Sequence, residues 1–180
     1  LLLTDDGRLD LDALDRLLDR RVKLVAVGHV SNALGTLNPI GTLVDAARAV
    51  GARILVDGAQ SVPHLPVSVS ALGIDFLAFS GHKMCAPTGI GGLWARYELL
   101  EAMPPYQGGG EMIHSVSLSG TTYAAPPARF EAGTPDIAGV VGLGAAIDYV
   151  NGIGLDAIAA HEAALLQQAT AALRALPRLR

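Results

Sequence analysis

Ile54-Leu55-Val56-Asp57-Gly58-Ala59-Gln60 and Phe76-Leu77-Ala78-Phe79-Ser80-Gly81-His82-Lys83 are the two stretches that decide the fold. Each is an apolar run too brief for a helix, stopped by a polar residue and a glycine, and so reads as a buried strand. Working outward, Val22–Val27 is a third run of this kind, ending near Gly28-His29. Pro39 opens a helix between Val22–Val27 and Ile54–Val56, with Leu43, Val44 and Ala47 on its apolar face and Gly51 suited to its end. A short helical turn near Val69–Leu72 precedes the last run, and Asp10 stands as N-cap to a helix carrying Leu11, Leu14, Leu17 and Leu18. Such alternation predicts an α/β fold: a mainly parallel sheet with helices on both faces. Gly91–Ala95 follows Lys83 after a turn too short for a helical crossover, so this strand is expected to be antiparallel.

The rest of the chain is less periodic. Pro104–Pro135 is rich in Gly, Pro, Ser and Thr and reads as an extended loop or hairpin region, of a length usually kept for function or an interface. Two helices are predicted after it, Ile137–Val150 and Leu155–Leu176. The second carries Leu155, Ile158, Glu162, Leu165, Ala169, Ala172 and Leu176 near one stripe and stops at Pro177.

Composition narrows the function classes. Of 180 residues 51% are apolar and 17% charged, which excludes intrinsic disorder and gives enough apolar mass for one core. A net charge of −4 with no basic run gives no support for nucleic-acid or membrane-surface binding, and no apolar stretch reaches the length of a membrane span. The single cysteine, Cys85, cannot close an internal disulfide, which points to a reducing, cytoplasmic compartment. Motifs that would redirect the reading fail. His161-Glu162 begins a zinc-protease motif, but Leu165 stands where the second histidine belongs, and the other histidines lack metal-ligand spacing. The glycines of Gly89–Gly92 do not have dinucleotide-binding spacing, and Gly108-Gly109-Gly110 reads first as a flexible turn.

In such sheets ligands bind beyond the carboxyl ends of the strands, where Ser31-Asn32, Asp57–Gln60 and Ser80–Lys83 all fall. Lys83 follows an apolar strand, and a lysine partly withdrawn from water there can lose its proton and form a Schiff base. Asp57 precedes it by 26 residues (83 − 57), about one strand-to-strand crossover. An acid and an amine on neighbouring strand ends match the needs of pyridoxal phosphate, whose ring nitrogen binds a carboxylate and whose aldehyde binds an amine.

Five blocks then carry a family resemblance. Val56-Asp57-Gly58-Ala59-Gln60-Ser61 and Phe79-Ser80-Gly81-His82-Lys83-Met84 resemble the cofactor motifs of class V aminotransferases, which are fold-type I pyridoxal-phosphate enzymes. His29-Val30-Ser31-Asn32, Pro87-Thr88-Gly89-Ile90-Gly91 and Arg129-Phe130-Glu131-Ala132-Gly133-Thr134-Pro135 are similar to blocks of the SUF-type (group II) cysteine desulfurases. The resemblance implies Lys83 as the Schiff-base lysine and Asp57 as partner of the pyridinium. It further implies Gln60 on the phenolic oxygen, Ser80 and His82 on the phosphate, Asn32 orienting cofactor and substrate carboxylate, and Thr134 reaching a phosphate across a homodimer interface. The implied reaction converts L-cysteine, or L-selenocysteine, to alanine and leaves a persulfide for a sulfur-acceptor protein in iron–sulfur cluster assembly. His29 is expected to be a packed residue near the site, and Arg129 an unassigned candidate for an ion pair with Glu131 or Asp136.

The chain also departs from the family pattern. Ala86 stands where glycine usually precedes Pro-Thr-Gly, so the turn after Lys83 is expected to be adjusted. Cys85 does not match the family's sulfur-accepting cysteine and reads as a small buried hydrophobe. The downstream domain with that cysteine and the substrate-binding arginine, and the upstream segment with phosphate-binding threonines and a stacking imidazole, have no counterpart here. Residues 1–180 thus read as an incomplete cofactor-binding large domain, with 155–180 a long helix leading toward an absent C-terminal domain, and this piece alone is expected not to turn over cysteine. Rival readings are another class V reaction (selenocysteine lyase, epimerase, kynureninase-like hydrolase or aminotransferase) and a non-catalytic dimerisation module. A Rossmann-type nucleotide binder lacks its glycine fingerprint.

Overall fold

A computed structural model describes residues 3–177. A short 3-10 turn at Leu11–Ala13 runs into α1 (Leu14–Leu17), and then come β1 (Leu24–Gly28), α2 (Ile40–Ala49), β2 (Arg53–Asp57), α3 (Val69–Leu72) and β3 (Phe76–Ser80). A 3-10 turn at Gly81–Met84 leads to β4 (Gly91–Ala95), α4 (Tyr97–Ala102), the hairpin strands β5 (Ile113–Ser117) and β6 (Gly120–Tyr123), and a 3-10 turn at Ala128–Phe130. Two long helices close the chain, α5 (Ile137–Ile153) and α6 (Leu155–Arg174). The main sheet has the order β1-β2-β3-β4, parallel through β3 and antiparallel at β4, as the strand endings and the short Lys83–Gly91 connection predict.

Because side chains alternate across a strand, one face of the sheet receives Val25, Val27, Ile54, Val56 and Leu77. Ile54 and Val56 are fully buried there beneath Ile40, Leu43, Val44 and Ala47 of α2, with Leu14 and Ile74 closing the cluster. Burying a large aliphatic side chain is worth about 1.5–3 kcal/mol, so this face holds most of the apolar stabilisation of the sheet. On the opposite face Leu55, Phe76 and Ala78 are half-buried and Leu93 is exposed. α5 lies beyond the carboxyl edge, packed against the Gly81–Met84 turn, with Gly142 against Pro87. No single helix among the described residues is long and apolar enough to cross a membrane.

Several local expectations are corrected. The first strand begins at Leu24 and ends at Gly28. Asp10 makes no side-chain cap, and α1 stops after one turn because Leu18 turns extended (φ −99°, ψ 116°) to feed the first strand. Pro39 sits just outside α2, at its N-cap. The hairpin reading of Pro104–Pro135, by contrast, holds: β5 and β6 pair there, with a register shift between Ile113 and Ser115. α5 runs to Ile153, and α6 ends at Arg174 without fully burying any side chain; Leu165, placed on its predicted stripe, is 51% exposed.

Candidate active site

Three strand ends build the site. Gly28, Asp57 and Ala78 stand side by side in the register of β1, β2 and β3, and Ser80 lies two residues further along β3. Strand alternation places Asp57, Ala78 and Ser80 on one face, the face opposite the core under α2. The Asp57 carbonyl accepts from the His29 amide at 2.9 Å, so the chain leaving β1 is tied to the end of β2. The Asp57 carboxylate is exposed; its Oδ1 accepts from the Ala59 amide at 2.9 Å, and Oδ2 has no hydrogen-bond partner among the described residues.

Gln60 and Asn32 are brought together. The Gln60 Nε2 donates to Asn32 Oδ1 across the gap between the turns that follow β2 and β1. An amide nitrogen carries two hydrogens, so one donor of Gln60 stays available. Gly58 sits fully inside this turn, because a Cβ there would lie 2.8 Å from Leu77 Cδ1 and 3.3 Å from the Ala78 carbonyl oxygen.

Lys83 and His82 ride on the Gly81–Met84 turn, anchored by the buried Met84 beneath and by the Gly81 amide donating to Ile90 O at 2.8 Å. Lys83 is half-buried, with no carboxylate within ion-pair distance among the described residues, while His82 is exposed. The turn closes with Ala86 N–H donating to Gly81 O at 3.1 Å, and Cys85 takes the left-handed conformation (φ 65°, ψ 9°). The adjustment expected at Ala86 thus falls one residue earlier, and Cys85 is exposed, contrary to its reading as a buried hydrophobe. Thr134 is exposed on a separate segment, and no hydrogen bond among the described residues ties it to the Asp57–Lys83 group.

Two further residues border the site. His29 is buried, with Nδ1 lacking a partner among the described residues, and burial holds its pKa below the ordinary histidine value. His64, on the same turn as Gln60, meets Glu162 of α6 with Nδ1 2.7 Å from Oε1. The pair lines a cleft of about 560 Å³ together with Ser31, Asn32, Gln60 and Leu166. In the sequence Glu162 stands out as part of a failed zinc motif and on the stripe of the last helix; its partner lies 98 residues away, beyond any spacing rule.

The donor set has a definite chemical character. It offers a carboxylate with a free oxygen, a primary amine with no acid holding it, a primary amide, a hydroxyl and an imidazole, all around three adjoining strand ends. These groups fit an anionic aldehyde cofactor with a ring nitrogen, such as pyridoxal phosphate.

The sequence profile of the family described as aminotransferase class V matches residues 1–180. The chain belongs to that family. Among its relatives, a cysteine desulfurase of Dickeya dadantii (strain 3937) is 58% identical over 179 residues, and a probable cysteine desulfurase of Streptomyces coelicolor is 56% identical over 178. Each alignment takes in 99% of this chain and 43% of the relative, so the chain spans less than half the length of these curated proteins. The crystal structure of the cysteine desulfurase CsdA from Escherichia coli superposes with a TM-score of 0.92 at 41% identity, over 97% of this chain and 44% of that one. Nearly the whole of this chain therefore shares the fold of the matched part of that enzyme.

Proposed function

We propose that the protein carrying this chain is a pyridoxal-phosphate-dependent cysteine desulfurase of the SUF type, with residues 1–180 forming part of its cofactor-binding domain. One observation carries the reading: a free carboxylate oxygen on Asp57 and an acid-free amine on Lys83 follow directly from two paired parallel strands, on the class V fold. Relatives named cysteine desulfurase at 56–58% identity narrow the reaction.

When bound, pyridoxal phosphate supplies an aldehyde that takes up amines and a pyridinium ring that draws electron density from the substrate α-carbon. Asp57 accepts the ring N–H and favours the protonated, electron-withdrawing ring. Lys83 Nζ would be the covalent anchor for the aldehyde carbon and, as a free amine, the base for the substrate α-proton. Gln60 gives its second amide hydrogen to the phenolic oxygen, and Asn32, fixed by Gln60, orients the substrate carboxylate. Ser80 and His82 donate to the phosphate, and Thr134 donates to the phosphate of the neighbouring subunit in a homodimer. A cysteine thiolate attacks the sulfur of L-cysteine, or the selenium of L-selenocysteine, and the bond from that atom to the β-carbon breaks, its electron pair staying on the carbon, which takes up a proton. Alanine leaves, and the persulfide passes to an acceptor protein for iron–sulfur cluster assembly in the cytoplasm.

The test uses the intact protein. Borohydride should fix the cofactor on residue 83, and Lys83→Ala should abolish both that label and the visible cofactor absorbance. Retained, reducible absorbance in the variant would overturn the assignment of the lysine. Alanine formed from L-cysteine in step with persulfide marks the desulfurase; turnover without sulfur release marks another class V reaction.

A further inference from the structure

We infer that Arg129 is a positioning residue for Thr134, its guanidinium tying the end of α4 and the residue after β6 to its own turn so that the Glu131–Pro135 segment holds one conformation. The inference rests on the reading of Thr134 as a phosphate donor.

Arg129 is followed in sequence by two carboxylates, Glu131 and Asp136, yet it makes no ion pair with either among the described residues. It is spent on backbone carbonyls. Nε donates to Ala124 O at 2.9 Å, just after β6, and Nη1 donates to Glu101 O at 2.8 Å and Met103 O at 3.2 Å, at the end of α4. The last carbonyls of a helix lack partners within it, so the guanidinium satisfies acceptors that α4 cannot satisfy itself. It also joins segments 26 and 28 residues apart to the 3-10 turn on which it sits.

From that turn the chain runs straight into Thr134. The Phe130 amide donates to Pro127 O at 2.9 Å and the Glu131 amide to Ala128 O at 3.1 Å, and the Gly133 amide then donates to Gly110 O at 2.9 Å. On the far side Asp136 caps α5 by accepting from the Gly139 amide at 2.9 Å. Thr134 is thus an exposed residue in no regular element, held between a helix cap and the Arg129 clamp. The clamp needs a planar fork. A lysine keeps the charge but carries its donors on one nitrogen and cannot reach carbonyls on both elements.

The experiment is a double-mutant cycle on the intact protein, measuring pyridoxal phosphate affinity by absorbance titration of the apoenzyme. Thr134→Val should weaken the cofactor about 10-fold or more, the scale of one lost hydrogen bond to a charged group. Arg129→Lys should weaken it about 10-fold, and the double variant should bind no more than about twofold worse than Thr134→Val alone, because both act through one contact. Amide hydrogen exchange in Arg129→Lys should rise over residues 130–135 and stay unchanged in β1–β3. Additive losses, wild-type affinity in Arg129→Lys, or unchanged exchange over 130–135 would each overturn the inference while leaving Thr134 in place. Wild-type affinity in Thr134→Val would instead remove the Thr134 reading itself, and the inference with it.

Discussion

Replacing Gly81 by alanine tests whether the lysine turn is built by steric necessity. Gly81 is buried immediately before His82 and Lys83, and its amide donates to Ile90 O at 2.8 Å. A Cβ there would lie 2.9 Å from that same oxygen, 2.8 Å from Ile90 Cγ2 and 3.3 Å from Ala86 Cβ. Ordinary contact needs roughly 3.4 Å or more, so the turn must retreat by about half an ångström from the carbonyl that anchors it. Overpacking of this kind costs about 1–3 kcal/mol, and a weakened hydrogen bond adds about 0.5–1.5 kcal/mol. We expect Gly81→Ala to destabilise the protein by about 2–4 kcal/mol in urea titrations, and to reduce cofactor absorbance because Lys83 rides on the displaced backbone. Gly41→Ala in α2 is the matched control: a Cβ there meets nothing within 4 Å, so alanine should be neutral or stabilise by up to about 1 kcal/mol through its better helix propensity. The steric argument fails if Gly81→Ala unfolds within about 0.5 kcal/mol of wild type and keeps full absorbance.

Other expectations follow from burial and backbone geometry. Leu43 is wholly buried beneath the sheet, so Leu43→Ala should cost about 2–5 kcal/mol in the same titration; a smaller loss would place the core elsewhere. Cys85 is exposed and left-handed, so it should react with a thiol reagent in the native protein, and Cys85→Gly should raise stability by about 0.5–1 kcal/mol; a loss would refute the relief of strain. Burial lowers the pKa of His29, so the unfolded chain takes up a proton near pH ~6.5 while the folded chain does not. Stability present above that pH is lost as pH falls through the interval down to the folded value, at up to about 1.4 kcal/mol per pH unit. His29→Phe should remove this component, and an identical drop from pH 7.5 to 5.5 in variant and wild type would count against it.

The sheet was legible because its signals are local. Ile54–Val56 and Phe76–Phe79 are apolar runs closed by Asp57-Gly58 and Ser80-Gly81, and the short link from Lys83 to Gly91 leaves room only for an antiparallel return. The Asp57–Lys83 constellation followed from where those runs stop. What stayed hidden depends on neighbours the sequence does not juxtapose. The leucines behind Asp10 look like a longer helix, but the chain must unwind at Leu18 to enter the sheet. α4, six residues with no side-chain cap, has no start signal, and its end is satisfied by Arg129 from 26–28 residues away. Residue type alone makes Cys85 a buried hydrophobe, whereas its conformation is dictated by the bond that closes the turn from Ala86 to Gly81.

Core and site are consequences of one register. Val56 and Asp57 are consecutive, so alternation sends one under α2 and the other to the open face. A slip of one residue in the pairing of β2 would exchange them, burying a carboxylate among Ile40, Leu43 and Val44 and exposing a valine. An unpaired buried charge costs several kcal/mol, far more than the slip could regain. The apolar face therefore fixes where the acid stands. The same parity carries Ala78 and Ser80 to the face of Asp57, and the steric block at Gly81 then sets the start of the turn that bears Lys83. The position of the acid relative to the amine is thus enforced by the burial of Val56 and its neighbours on the opposite face of the sheet.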